Sequence, residues 1–365
     1  MKQYVLLSGA DYKGENVTFR VLCDNRRKQL TQAGAIGTPL KFTVFDLQAG
    51  QVAVTRVTFG GGRRVETTTS EQLFGKVTPA SFETRAAPGR PVRRRFKNGQ
   101  TSVMSITDVY EAIHRIGAEE PGTLAEFSVF SHGWEDGPIL VNSDDDRTSR
   151  LFVRDGVPGP PREEDIVVPA GMRDPDDKDA RPALDFIAPS MDEVKLAQFR
   201  KAFAKDGRVW LWGCAHRQEL DQILGKIERN AAYRATSVPD DTPFTFTNFN
   251  DLEVAYIQWF LRPLTGIFPD PRAITLKWKH LRYFLCLANQ STYAAAIANA
   301  AQVSTFAAPM GTGAIYEGPG KLMAVDPGHA RHATLYRSHL GFTFDPEGHG
   351  YARFAPGSAC AKPQP

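Results

Sequence analysis

Between residues 101 and 316 the apolar pattern switches repeatedly between a helical period and short continuous runs, and this switching is the strongest constraint on the fold. In "TSVMSITDVYEAIHRIGAEEPG", Val103, Ile106, Val109, Tyr110, Ile113 and Ile116 recur at spacings of three and four, and Pro121-Gly122 follows, which predicts a helix. "LAEFSVFSHG" has the length and the β-branched and aromatic content of a buried strand, and "GPILVN" supplies a short one after the turn. "SMDEVKLAQFRKAFAKDG" returns to helical spacing, with Ser190 as N-cap, Glu193 three residues on and Gly207 past the end. "RVWLWGC" is again a strand. "AHRQELDQILGKIERNAAY", "DLEVAYIQWFLRPL", "HLRYFLCLANQ" and "TYAAAIANAAQ" read as helices, and "VSTFAAPMGTGAIYEG" as a strand ending in a Pro- and Gly-bearing loop. Alternation of this kind predicts an α/β fold, a mostly parallel sheet flanked by helices.

Residues 1–60 follow a different rule. "KQYVLLSGA", "ENVTFRVLC", "LKFTVFDL" and "QVAVTRVTF" predict a strand-rich N-terminal region, a candidate module for binding a partner. Residues 61–100 read as a basic connection, 101–325 as the α/β domain with an acidic, Pro-rich insertion at 144–189, and 326–365 as a C-terminal extension.

Charge is uneven along the chain although the net charge is only +3. Thr58 to Lys97 holds nine Lys or Arg against three Glu, and Ser143 to Asp192 holds thirteen acids against seven bases. The basic run lacks the interleaved aromatics on which bases stack, so nucleic acid is not an expected partner. The first residues lack the apolar core and cleavage site of a secretory signal, and no run approaches the roughly 18 apolar residues of a membrane span. Cys23, Cys214, Cys286 and Cys360 have neither metal-site nor disulfide-framework spacing. The expectation is free thiols in a cytoplasmic protein, with export lacking a cleaved signal as the alternative, and no membrane partner.

Three predicted strands finish in small-residue turns with polar chemistry: "SHGW" at 131–134, "GCAH" at 213–216 and "PMGTG" at 309–313. Ligands of open α/β sheets gather at the carboxyl ends of strands. Cys214 stands between a strand and a helix, where a helix dipole lowers a thiol pKa, and a thiolate needs a proton acceptor, which His132 supplies. The main-chain N–H groups of Gly133 and Cys214 then form an oxyanion hole, glycine permitting close approach.

An apolar strand ending in His-Gly, a short strand, a helix and an apolar strand ending in Gly-Cys together resemble the caspase-like cysteine peptidase fold, which includes gingipains, legumains, separases and clostripain. The resemblance covers roughly residues 101–316. It implies that His132 is the catalytic histidine, Cys214 the nucleophile and Gly133 an oxyanion donor. It also implies that Val303 to Tyr316, with Pro309, Met310, Gly311 and Thr312, lines the pocket for the residue before the cleaved bond. The substrate would be a protein or peptide, with no cofactor and no metal.

The chain departs from that pattern in "AHRQ" after the cysteine, which places His216 two positions beyond it. A metal site of His132, Cys214 and His216 is disfavoured because Cys-x-His takes successive positions at one turn and no further ligand cluster follows. His329, His332 and His339 lack the spacing of a helical zinc pair and read as loop or surface. Two alternatives stay open. One is an α/β-hydrolase with Cys214 as nucleophile and Asp326 and His329 as partners, although "WGCAH" lacks the elbow glycine two positions before the cysteine. The other is an inactive caspase-like binding protein.

Overall fold

Apolar strands joined by helical crossovers pair in parallel. The computed structural model describes residues 1–11, 18–34, 37–60, 63–85, 93–96, 102–134, 137–142, 152–154, 157–159, 185–266 and 273–364. Eight strands form its central sheet: β1 Lys2–Ser8, β2 Leu40–Asp46, β3 Gln51–Gly60, β4 Arg63–Gln72, β5 Leu124–Phe130, β6 Phe203–Trp212, β7 Ser304–Ala307 and β8 Ala352–Phe354. Their order is β8-β7-β6-β5-β1-β2-β3-β4. The run from β7 to β2 is parallel, while β8, β3 and β4 are each antiparallel to the preceding neighbour. The described residues also form helices α1 Phe19–Ala33, α2 Ile106–Glu119, α3 Glu193–Ala202, α4 Gln218–Arg229, α5 Asp251–Thr265, α6 Trp278–Gln290, α7 Tyr293–Ala301 and α8 Ala330–Leu340. The protein is thus a mixed α/β fold around a large, mostly parallel sheet.

Strand alternation assigns the two faces. Leu6, Phe130, Trp210 and Trp212 point into a core shared with α1, α4, α5, α6 and α8. Val5, Leu7, Phe127, Val129, Val209 and Leu211 point into a second core with α2, α3 and α7. Ser105 starts α2 through a capping box with Asp108, satisfying amides that the first turn leaves without partners.

Within the first core lies a buried charge pair. Arg26 on α1 and Glu126 on β5 are 2% and 1% exposed and bond bidentately, Nε to Oε1 at 2.8 Å and Nη2 to Oε2 at 2.7 Å. Arg208 on β6 donates to Glu126 at 3.1 Å, and Glu347 accepts from Arg26 at 2.6 Å. Burial alone would raise the Glu126 pKa, but the two guanidinium groups and the Ser128 hydroxyl hold it below the ordinary carboxylate range.

Several expectations change. The described part of "ENVTFRVLC", residues 18–23, is not a strand: Phe19, Leu22, Cys23, Arg26 and Leu30 fall on one buried face of α1, a spacing that local β-branched content masked. Helix α3 takes its N-cap from Asp192, which accepts from the Lys195 amide, rather than from Ser190. That helix stops at Ala202, and Phe203 already opens β6, ahead of Gly207. The N-terminal strands do not stand apart, because β1 sits between β5 and β2 in the middle of the sheet. Ten residues of the basic connection form β4, and the stretch after residue 326 supplies α8 and β8. Apart from residues 152–154, 157–159 and 185–189, the acidic insertion lies outside the described residues.

The cysteine expectation is corrected as well. Cys286 on α6 and Cys360 form a disulfide, Cα atoms 5.8 Å apart across 74 residues, leaving Cys23 and Cys214 as thiols. The protein therefore does not carry the four free thiols expected of a reducing compartment. Among the described residues no helix is long and apolar enough to cross a membrane.

Two outcomes are expected. Thiol titration of the denatured, unreduced protein gives two groups per chain, rising to four after reduction, and Cys360→Ser costs about 2–4 kcal/mol of unfolding free energy. Glu126→Ala leaves a buried guanidinium without its main partner and lowers stability by about 3–5 kcal/mol in a urea titration.

Candidate active site

The register between β5 and β6 places the two candidate catalytic residues. Phe130 pairs with Trp212 as the last matched residues, and their rings stack 5.5 Å apart. Trp212 stacks in turn on Trp210 at 4.4 Å and donates from its indole to Ser128. Beyond this lock the chain reads Ser131-His132-Gly133 on one side and Gly213-Cys214-Ala215 on the other. His132 and Cys214 therefore leave adjacent strands at the same level, and both line one cleft together with Gly133, Trp134, Thr292 and Tyr293.

Small residues make this approach possible. A Cβ on Gly133 would lie 2.4 Å from the Cys214 carbonyl oxygen, and one on Gly213 would lie 2.8 Å from that of Ser131. The glycine after the histidine is thus required by main-chain contact with the cysteine segment itself, in addition to any oxyanion it would face. His132 to Trp134 also pairs antiparallel with Gly137 to Ile139 in a small two-stranded sheet of its own.

The His132 ring is 17% exposed and meets Phe19 edge to face at 5.1 Å. Its Nε2 lies 3.6 Å from Oδ1 of Asp11, a carboxylate 4% exposed. Asp11 follows β1 on a two-residue strand, Ala10–Asp11, that pairs with Val141–Asn142. The sequence reading missed it, although "LLSGAD" ends an apolar run in small residues just as "FSHG" and "LWGC" do. Three neighbouring parallel strands thus deliver a carboxylate, an imidazole and a thiol to one edge.

The Cys214 sulfur accepts the Ala314 amide at 3.2 Å and lies 3.8 Å from the Ala314 carbonyl oxygen. Ala314–Tyr316 is a strand whose partner is Met323–Val325. Helix α4 begins at Gln218, so Cys214 sits before the N-cap Arg217 rather than at the first turn, and the dipole argument weakens with that distance.

Pro309, Met310, Gly311 and Thr312 do not line the cleft; they form a buried turn beneath it. The Met310 amide donates to Asn289, its carbonyl accepts from Tyr336, and Ala215 bonds the turn twice, to Gly311 N–H and from its own N–H to Thr312 O. Gly311 has φ +82°, and a Cβ there would also strike Leu224 at 2.9 Å. What these four residues position is Ala314, which reaches the sulfur.

His216 is exposed and faces the His329 ring at 6.2 Å, on the α8 side of the turn. The late histidines are not idle surface. His332 is buried between Glu228 (Nδ1 to Oε1, 2.6 Å) and Asp221 (Nε2 to Oδ1, 2.9 Å), and His329 accepts the Gly313 amide at 3.4 Å. Asp326 caps the turn at Gly328, so the late Asp–His pair of the hydrolase alternative holds the turn at the start of α8. Among the described residues no group of three His, Cys, Asp or Glu side chains could hold a metal ion.

On the other side of the cleft, Tyr293 donates to Asp185 at 2.7 Å, and its hydroxyl also bonds that of Tyr110. Burial and the Asp185 charge push its phenol well up, so the ring stays neutral. No family model, curated protein or solved structure matches the chain.

The His332 bridge carries a pH dependence. Burial opposes its charge, but the Glu228 and Asp221 carboxylates outweigh that and raise its pKa above the ordinary histidine value. The stabilisation is fully present below the unfolded value near 6.5 and is lost as pH rises through the raised folded value. The melting-temperature difference between the natural protein and His332→Gln is therefore expected to be largest at about pH 6 and to shrink by about pH 9.

Proposed function

We propose that this chain is a cysteine endopeptidase of caspase-like architecture, cleaving peptide bonds through Cys214 and His132. The observation that carries the reading is the placement of these two residues at matched ends of adjacent parallel strands, opening on one cleft. The sheet order supports the architecture, since the strand before His132 lies between the first strand and the strand before Cys214.

In this reading His132 takes the thiol proton and the Cys214 sulfur attacks the scissile carbonyl carbon. The oxyanion is held by main-chain N–H groups at Gly133 and Cys214. The tetrahedral adduct then collapses, the C–N bond breaks, and the imidazolium gives its proton to the leaving amine. Water, deprotonated by the same imidazole, hydrolyses the thioester and restores the thiol. Asp11 positions the ring and favours the imidazolium that forms in both half-reactions.

Ala314–Tyr316 supports a peptide substrate. One edge of that strand pairs with Met323–Val325, and the Ala314 N–H on the other meets the Cys214 sulfur. An extended peptide laid along the second edge gains main-chain hydrogen bonds and brings a carbonyl to the nucleophile.

The test is hydrolysis of a mixed peptide library together with iodoacetamide labelling. Cys214→Ala abolishes turnover, His132→Ala lowers it by about 10²–10⁴-fold, and Asp11→Asn lowers it by less. Cys214 labels faster than Cys23, whose thiol is fully buried with its pKa pushed well up. Turnover that survives Cys214→Ala, or labelling of Cys214 no faster than Cys23, refutes the assignment.

A further inference from the structure

The far edge of the sheet carries a second feature. Strand β4, "RRVETTTSEQ", is ten residues long, terminates the sheet, and is exposed at every position. Edge strands are ordinarily guarded by shortness, proline, bulges, charged side chains (lysine above all) or a covering element, and of these β4 has only its charges, Arg63, Arg64, Glu66 and Glu71. β4 pairs with β3 in unbroken register from Arg63 to Gln72 and contains no proline, glycine or lysine. Its composition, with one valine and four Thr or Ser residues, suits a paired strand.

Its two faces are used differently. The even-numbered residues are engaged within the chain: Arg64 donates to the Thr31 carbonyl at 2.6 Å, Glu66 pairs with Arg27 at 2.9 Å, and Thr68 bonds Thr55 at 2.9 Å. The odd-numbered residues are Arg63, Val65, Thr67, Thr69 and Glu71, and neither Arg63 nor Glu71 has an ion-pair partner among the described residues. These five are arranged with opposite charges at the two ends and Thr67 at the centre.

We propose that β4 is a homodimer interface, pairing antiparallel with β4 of a second copy about a two-fold axis at Thr67. In that register Arg63 of each copy faces Glu71 of the other, and Val65 faces Thr69 on both sides. The pairs fall on one face of the joined sheet, as cross-strand neighbours must. The interaction is isologous, as a two-fold dimer requires, and the two sheets become one. A strand with both end charges of one sign would repel its own copy in this arrangement, and one with its charges on one side of the centre would leave them unpaired.

A pair of ten-residue strands buries less surface than a standard stable interface, so the dimer is weak and is sought over about 1–300 µM by sedimentation velocity on the full chain. Arg63→Glu and Glu71→Arg are each expected to raise the dissociation constant about tenfold by setting like charges opposite one another, and the double exchange to restore it. Circular dichroism confirms that each variant is folded, which exposed positions favour. A protein that stays monomeric throughout overturns the proposal. So does a dimer indifferent to the single exchanges, which would place the contact elsewhere, or one that the double exchange fails to restore.

Discussion

The site depends first on the register between β5 and β6. Parallel strands buried on both faces have little in their backbones to choose one alignment over another, and a slip of one residue would turn His132 and Cys214 to opposite sides of the sheet. Alignment is fixed by side chains. Phe130 lies on Trp212, Trp212 on Trp210, and the Arg26 guanidinium sits 5.5 Å and 5.4 Å from the two indoles while gripping Glu126. The charged pair ties α1 to β5, and Arg208 carries it to β6. Replacing such a group by apolar residues is often neutral in energy; what the group does here is join α1, β5 and β6 at one alignment.

The parallel sheet was legible because each of its elements states its period locally. Long apolar runs ending in His-Gly and Gly-Cys mark strand ends without any knowledge of neighbours, and they led to both residues of the candidate dyad. Asp11 was harder to see because it stands on a two-residue strand whose partner, Val141–Asn142, lies far along the chain. Arg26 was hidden by the reading of "ENVTFRVLC" as a strand, which gives no reason for an arginine to face inward. The turn at 309–312 was expected to line the substrate pocket, since proline and glycine usually mark loops that solvent and ligands can reach. Its burial comes from α6 and α8 closing over it, through Asn289 and Tyr336.

Distant pairing also explains the cysteines. Cys286 lies in the interior of a helical pattern and Cys360 in a polar tail, so neither position announces a partner. Their meeting follows from β8 returning along β7, which carries the tail back over α6. The same return gives the stretch beyond residue 326 its place in the sheet, where its sequence alone suggested an appendage.

That return has a consequence for how the protein comes into being. The amide that touches the Cys214 sulfur belongs to Ala314, and the loop leading to it is held by Tyr336 at Met310 and by His329 at Gly313. Synthesis runs from the N-terminus, so the thiol, the imidazole and the carboxylate are all made before the segment that seats them. A nascent chain stopped short of α8 has the three groups but lacks the clamp beneath Ala314. The seat of the sulfur is therefore completed only when α8 has left the ribosome and packed against α4.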